Sequence, residues 1–321
     1  MSTAPIVLAR RDPRHPEAYW AIRRHYLGGS DLAALVRGRL WQVWLDKTAG
    51  TALPATEAMD WGTRLEAVVA RAVADRHPLW RIRQRHALLG HPTIPWLAAS
   101  VDRLIYGPDG GPWVLEIKTT GQDWQGQVPE AYQAQVQAYL AVTGAPRAVL
   151  AVLVRGQHLE EYELAPDPTL QSALVALGDA FWTRVQRQEP PPLDASEAAR
   201  AWLLARYPRA DDALWAPPTD AVRQAAAAYT RCTQALQALE AERDQLAATL
   251  KAAIGPARGV ADDQVRVTWV RYDRDHIDWA AIRRDHPDWI APYTTRKPHD
   301  AGLRVTWTKE ATDAPVESDG H

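Results

Sequence analysis

The chain of 321 residues has one cysteine, Cys232. A single thiol excludes an internal disulfide and any cysteine-rich zinc or iron–sulfur site. No stretch approaches the roughly 18 uncharged apolar residues that a membrane-spanning helix needs. The N-terminal "MSTAPIVLARRDPRHPEAYW" has no apolar core of the signal-peptide kind. These two absences predict a cytoplasmic protein with no membrane contact. HExxH, a Walker A loop and a GxSxG elbow are missing too, which removes the common zinc-protease, P-loop and serine-hydrolase sites. Neither sign of charge dominates: the formal net charge is -2, so any nucleic-acid site must be a local patch. What is present suits a globular chain, with 46% apolar and 24% charged residues, and a length fit for two domains or one core with an appendage.

Periodicity predicts helices over 17–27, 30–48 and 61–77, strands over 79–89, 95–106 and 112–119, a helix over 128–144, and a strand over 147–156. "HLEEYELA" reads as an edge strand and 168–188 as a helix. Helices and strands in this order predict an α/β core, residues 1–190, with a mixed central sheet flanked by helices. A proline-rich linker, 191–220, follows. The region 221–321 then opens on a long amphipathic helix. Its seam is Val222, Ala225, Tyr229, Cys232, Leu236, Leu239, Leu246, Leu250 and Ala253, broken only by Arg243. Such a seam serves self-packing or a partner helix, so oligomer formation or docking of another protein is expected of it. "QVRVTWVRYD" and "GLRVTWTKE" read as related strands around a helical "DWAAIRRDHPDWI", a small α+β appendage.

Chemistry concentrates in "AASVDRLIYGPDGGPWVLEIKTT", residues 98–120. With 107–111 as the turn, antiparallel pairing sets Asp102 opposite Glu116, and the strand period of two puts Lys118 on the face of Glu116 while Leu115 and Ile117 point away. Two carboxylates at 4 Å repel by about 4 kcal/mol at an effective dielectric near 20. A hard divalent cation, Mg²⁺ or Mn²⁺, offsets that cost. The alternative is a solvated cross-strand cluster in which Lys118 balances Glu116. Three further residues bear on the choice: Glu66 on the helix 61–77, and Gln135 and Tyr139 one turn apart on the helix after the EIK strand.

Taken in order, "GGSDLAALV" (28–36), "WGTRLEAVVA" (61–70), "SVDRL" (100–104), "LEIKTT" (115–120) and "VPEAYQAQVQAYLAVTG" (128–144) resemble the PD-(D/E)XK nuclease superfamily. Within it they look most like the phage YqaJ-type and lambda-exonuclease-like recombination nucleases. The likeness covers about residues 18–160, and "VRVTWVRYDRDHIDW" resembles tails of phage members. The motif departs from its pattern at Val101, where the family has proline. The resemblance implies a restriction-endonuclease-like core and a metal-dependent deoxyribonuclease, a 5′→3′ exonuclease on duplex ends that works beside a single-strand annealing protein. An endonuclease of restriction type and a DNA- or protein-binding module that does not cut are the alternatives. By the same likeness Asp102, Glu116 and the Ile117 carbonyl bind Mg²⁺, and Glu66 completes or extends that site. Lys118 orients or helps deprotonate the attacking water, Gln135 positions Lys118 or the DNA backbone, and Tyr139 packs beside it.

Arg23 precedes Ser30 by seven residues, as an arginine precedes a serine in the 5′-phosphate pocket of lambda-like exonucleases. A helix start is a natural anion site. The other reading is a solvated arginine and a plain helix cap made by Ser30 or Asp31. Most of the 15 tryptophans read as core, among them Trp41, Trp44, Trp61, Trp80, Trp113, Trp269 and Trp307. Trp124, in the polar loop "GQDWQGQ", is the tryptophan expected to contact DNA. The run "WRIRQRH" (80–86) either lines a DNA channel or is the solvated face of an edge strand.

Overall fold

The structure is a computed structural model and describes residues 4–12, 14–50, 56–208, 215–295, 303 and 305–306. The chain divides into two compact units, residues 1–203 and 204–321. The first unit is mixed α/β. Its elements begin with β1 (Ile6–Arg10), α1 (Pro16–Arg23), β2 (Leu27–Gly28), α2 (Gly29–Val36), α3 (Leu40–Ala49) and α4 (Glu57–Arg76). Five strands follow: β3 (Arg81–Gln84), β4 (Ala87–Gly90), β5 (Leu97–Ala99), β6 (Arg103–Gly107) and β7 (Gly110–Thr120). The remainder is α5 (Glu130–Thr143), β8 (Ala148–Val154), β9 (His158–Leu164), α6 (Pro168–Gln186) and α7 (Glu197–Arg206).

A five-stranded mixed sheet, β3-β6-β7-β8-β9, carries the centre of the unit. Only β7 and β8 run parallel, and α5 is the crossover that a parallel pair requires. Strand alternation sorts the side chains of β6 and β7 onto two faces. Ile105, Trp113, Leu115 and Ile117 pack with Val69, Ala70 and Val73 of α4. Leu104 and Val114 belong to the other cluster, with Ala134, Val136, Ala138 and Leu140 of α5. Glu116 and Lys118 therefore fall on the α5 face by the same alternation. Arg147 pins the hairpin: its guanidinium lies 3.5 Å over Trp113 and bridges Asp109 at 2.8 Å and Glu163 at 3.2 Å.

Three sequence expectations change here. The helix expected over 30–48 is two helices, because Gly38 takes φ 73° and ends α2. Each strand expected over 79–89 and 95–106 is also two. The chain leaves β3 for β4 and later leaves β5 for β6, and β4 and β5 belong to a separate four-stranded sheet, β1-β4-β5-β2. Neither crossing carries a glycine or a proline, so nothing in the local sequence marks them. The expected linker 191–220 holds α7. Its Ala199 is fully buried, and Trp202 lies 5.0 Å from Trp41 and 6.4 Å from Trp44 between ring centroids. Trp41 Nε1 also donates to the Pro192 carbonyl at 2.8 Å.

The second unit contains α8 (Asp220–Ile254), the antiparallel pair β10 (Gly259–Ala261) and β11 (Arg266–Thr268), then α9 (Trp279–Asp285), α10 (Pro287–Ile290) and a 3₁₀ turn at Ala291–Tyr293. Two cations lie near the Trp269 ring, Arg271 at 4.4 Å and Lys251 at 5.8 Å. Arg271 also donates to the Gly255 and Ala257 carbonyls, which ties β11 to the end of α8. Most of "GLRVTWTKE", Trp307 included, lies outside the described residues. No helix of the described residues is long and apolar enough to cross a membrane.

The tryptophan cluster yields a stability prediction. Trp202→Ala removes the ring that packs against Trp41 and Trp44, and should cost about 3 kcal/mol of unfolding free energy. Urea denaturation of the full chain measures it, and a cost under about 1 kcal/mol would mean that α7 is peripheral to this unit.

Candidate active site

The outer register of the β6–β7 hairpin is the one that counting predicts: Arg103 pairs with Leu115 and Leu104 with Val114. The turn is tighter than expected, since Gly107 pairs with Gly110 and a bulge follows Ile105. The bulge lies at the tip, so it leaves the pairing beyond Ile105 unshifted. One step outward Asp102 faces Glu116, but β6 has not yet begun there. Asp102 stands where the chain passes from β5 to β6, and its Oδ2 accepts the Ile117 N–H at 2.9 Å.

Glu116 is 1% exposed. Its Oε1 accepts from Lys118 Nζ at 2.6 Å and from Gln135 Nε2 at 2.6 Å. Gln135 Nε2 also donates to the Tyr139 hydroxyl at 2.8 Å. The second oxygen, Oε2, is buried with no hydrogen-bond partner among the described residues. Burial and the nearby Asp102 carboxylate push Glu116 up to about 8. Glu66, half-buried on α4, is also held above its ordinary value, first by burial and then by Asp102, against the pull of Arg103, Lys118 and Arg11. Burial alone would lower Lys118, yet the Glu116 and Asp102 carboxylates outweigh it and raise the ammonium.

Glu66, Asp102, Glu116, Lys118, Gln135 and Tyr139 thus form one connected group. Two carboxylates act on each other across the hairpin, and one has an orphaned oxygen inside the protein. That donor set is hard oxygen of the kind Mg²⁺ and Mn²⁺ take. Among the described residues no three or more His, Cys, Asp or Glu side chains stand close enough to form a finished metal cage. The fit therefore rests on the Asp102–Glu116 pair, with backbone and solvent oxygen making up the remainder.

A second polar centre adjoins the first through α5. Ser30 is not the cap of α2; that position is Gly28, whose N–H donates to Asp31 Oδ2 at 2.8 Å. Ser30 Oγ instead accepts from Arg23 Nη2 at 2.7 Å. Asp31 is flanked by Arg23 at 3.5 Å and Lys47 at 2.8 Å, and Lys47 also meets Asp46 at 3.0 Å. Burial would raise Asp31, but the two cations outweigh it and hold the carboxyl below its ordinary range. Gly29 is where α2 touches α5: a Cβ there would stand 2.6 Å from the Tyr139 ring and 2.7 Å from the Gln135 carbonyl. Glycine at this position lets the two centres approach.

Trp124 does not offer itself to a ligand. It is 8% exposed and stacks on Tyr132 at 4.9 Å, with Tyr162 at 5.9 Å. Its loop is polar, but the rings of Tyr132 on α5 and Tyr162 on β9 lie against it. Trp61, expected in the core, is exposed, with Arg64 5.9 Å from its ring. The run 80–86 supplies edge strand β3, where Ile82 packs inward while Arg81 and Arg83 are exposed. Sequence reading missed Tyr132, whose ring lies 5.8 Å from Lys118 Nζ and 4.7 Å from the Arg37 guanidinium. The available signal was its place three residues before Gln135 and seven before Tyr139, on one helix face. Lys47 was missed as well, and nothing local marks a lysine whose side chain is 0% exposed.

Residues 18–146 match the YqaJ-like viral recombinase domain. The uncharacterized protein YqaJ of Bacillus subtilis (strain 168) is 30% identical over 259 residues, which cover 76% of this chain and 80% of that protein. The chain belongs to the YqaJ family. Among solved structures, an alkaline exonuclease from Laribacter hongkongensis is similar with a TM-score of 0.46 and 20% identity, covering 54% of this chain and 94% of that one. A phage-related exonuclease from Haemophilus somnus 129PT has a TM-score of 0.42 and 10% identity, over 51% of this chain and 96% of that one. The YqaJ match spans every residue of the carboxylate centre and of the Arg23–Lys47 centre.

Glu116 makes the fold pH-dependent. An unfolded glutamate titrates near its ordinary 4.5, while the folded one titrates near 8. Between these values the folded chain keeps a proton that the unfolded chain has released, so stability falls as pH rises through this window, by about 1.4 kcal/mol per unit at most. In chelator, Glu116→Gln should unfold at higher urea than wild type above about pH 8, and the gap should close toward pH 4.5. Adding Mg²⁺ or Mn²⁺ should stabilise wild type above about pH 8 and leave the variant unmoved. Equal metal response in both proteins would remove Glu116 from the metal-binding set.

Proposed function

We propose that this YqaJ-family protein is a divalent-metal-dependent deoxyribonuclease, a 5′→3′ exonuclease on duplex ends that supplies single strands for phage-type recombination. The observation that carries the reading is Glu116: a carboxylate buried beside Asp102, with a lysine on one oxygen and no donor among the described residues on the other. Such a group is costly as a structural element and useful as a cation ligand. The family match to a viral recombinase domain supports the DNA context.

Asp102, Glu116 and the Ile117 carbonyl would hold Mg²⁺ or Mn²⁺, and Glu66 would complete or extend the set. The Ile117 N–H already points to Asp102, and in an extended strand the carbonyl of that residue leaves the same edge. A bound cation supplies a Lewis acid for a phosphoryl oxygen and lowers the pKa of a bound water. Lys118, kept cationic by its two carboxylate neighbours, is a fixed positive charge for the phosphate oxygens. Gln135 fixes Glu116 through Oε1 and holds Tyr139 in line behind it. Arg23 and Ser30, at the start of α2, would take a 5′-terminal phosphate, a charge that a helix N-terminus favours.

Purified protein, Mg²⁺ and DNA of defined ends test this. Wild type should degrade linear duplex and spare covalently closed circles. Asp102→Ala and Lys118→Ala should each lose activity by about 100-fold or more. Wild-type inertness in both Mg²⁺ and Mn²⁺, or full activity in those variants, would sink the nuclease reading. Cutting of closed circles would make the enzyme an endonuclease.

The end preference gives a separate test. Wild type should favour a 5′-phosphate over a 5′-hydroxyl, and Arg23→Ala should erase the preference. Indifference of wild type to the 5′ group would remove the pocket and leave the carboxylate centre standing.

A further inference from the structure

Helix α8 runs for 35 residues, about 52 Å at 1.5 Å per residue. Ile254, at its last position, is its one buried residue. Along the seam, Val222 is 54% exposed, Leu236 58%, Leu239 63% and Leu246 58%. A helix in a protein gains most of its stability from packing an apolar face, and among the described residues this seam stays largely exposed. The seam repeats every seven residues over more than four heptads, the length of a coiled-coil seam.

We infer that α8 pairs with α8 of a second copy of this chain, parallel and in register. The flanking positions carry the argument. In a two-stranded coil the residues beside the seam choose the partner. Here they are mostly small and uncharged: Ala221, Ala228 and Ala235 on one side, Ala226, Thr233 and Ala247 on the other. Nothing in that set selects a foreign helix of opposite charge. The charged flanking residues are Glu240 and Glu242, and the one charged seam residue is Arg243. Parallel, in-register pairing sets Arg243 of each copy beside Glu242 of the other, twice by symmetry. In the same register the cross-helix flanking pairs are Ala228 with Thr233, Ala235 with Glu240, and Glu242 with Ala247. The two Arg243 side chains share one layer, and the Glu242 of each opposite copy offsets their repulsion. A lone polar seam residue of this kind fixes register at a cost in stability.

Cys232 lies on the seam, exposed in the single chain. Pairing in register brings the two thiols together, within the Cα separation of about 4.4–6.8 Å that a disulfide accepts. An antiparallel pair, or a partner of another kind, does not do this.

Sedimentation equilibrium of the full chain under reducing conditions should give the mass of two copies. Leu239→Glu, at a side chain outside the fold's core, should return the mass of one. Diamide should convert wild type to a covalent dimer, and Cys232→Ser should prevent it. Arg243→Glu should weaken the dimer at least tenfold, and adding Glu242→Arg should recover most of the loss. A wild-type mass of one or three chains, or a dimer indifferent to Leu239→Glu, overturns the pairing. A dimer that diamide does not cross-link overturns the parallel register. None of these outcomes depends on nuclease activity.

Discussion

A glutamate buried on a central strand is the constraint around which the first unit is arranged. Strand alternation puts Glu116 on the α5 face of β7, among residues that pack an apolar helix. A bare carboxylate there is costly, and the neighbours of Glu116 answer that cost one oxygen at a time. Lys118 and Gln135 converge on Oε1. Oε2 is left to Asp102's side of the hairpin, where two negative groups face each other and a cation or a proton must intervene. Glu66 enters the same field from α4, across the opposite face of the sheet.

Helix α5 extends this arrangement beyond the carboxylates. Gln135 and Tyr139 face the sheet, and the Tyr139 ring also receives Gly29 at the start of α2. Arg23 is aimed by Ser30 and Asp31, and Asp31 is held in turn by buried Lys47 on α3. Two polar centres that sequence reading treats as unrelated motifs thus share one helix as their common wall. Tyr132, stacked on Trp124, lines the same helix beside Lys118.

The sequence made the hairpin legible because strand pairing near a turn is local arithmetic. Once Arg103 pairs with Leu115, the positions of Asp102, Glu116 and Lys118 follow. Periodicity places Glu66, Gln135 and Tyr139 on helices, but that they join the hairpin is what the likeness to PD-(D/E)XK nucleases implies. What stayed hidden depends on distant partners. The runs 79–89 and 95–106 have no glycine or proline at their crossings, and only pairing with β1, β2 and β7 divides them between two sheets. Trp124 sits among polar neighbours in sequence and among aromatic rings in space. Lys47 looks like an ordinary late residue of a helix until Asp31 is brought to it.

The bond from the Ile117 N–H to Asp102 limits the length of strand β6. That N–H points toward the side where the ladder with β6 would continue, so backbone pairing and the carboxylate compete for one donor. Were β6 to start two residues earlier, the sheet would gain a rung and Asp102 would lose its anchor. Extra sheet at this edge would thus remove chemistry, and the crossing from β5 to β6 comes just where the ladder has to yield.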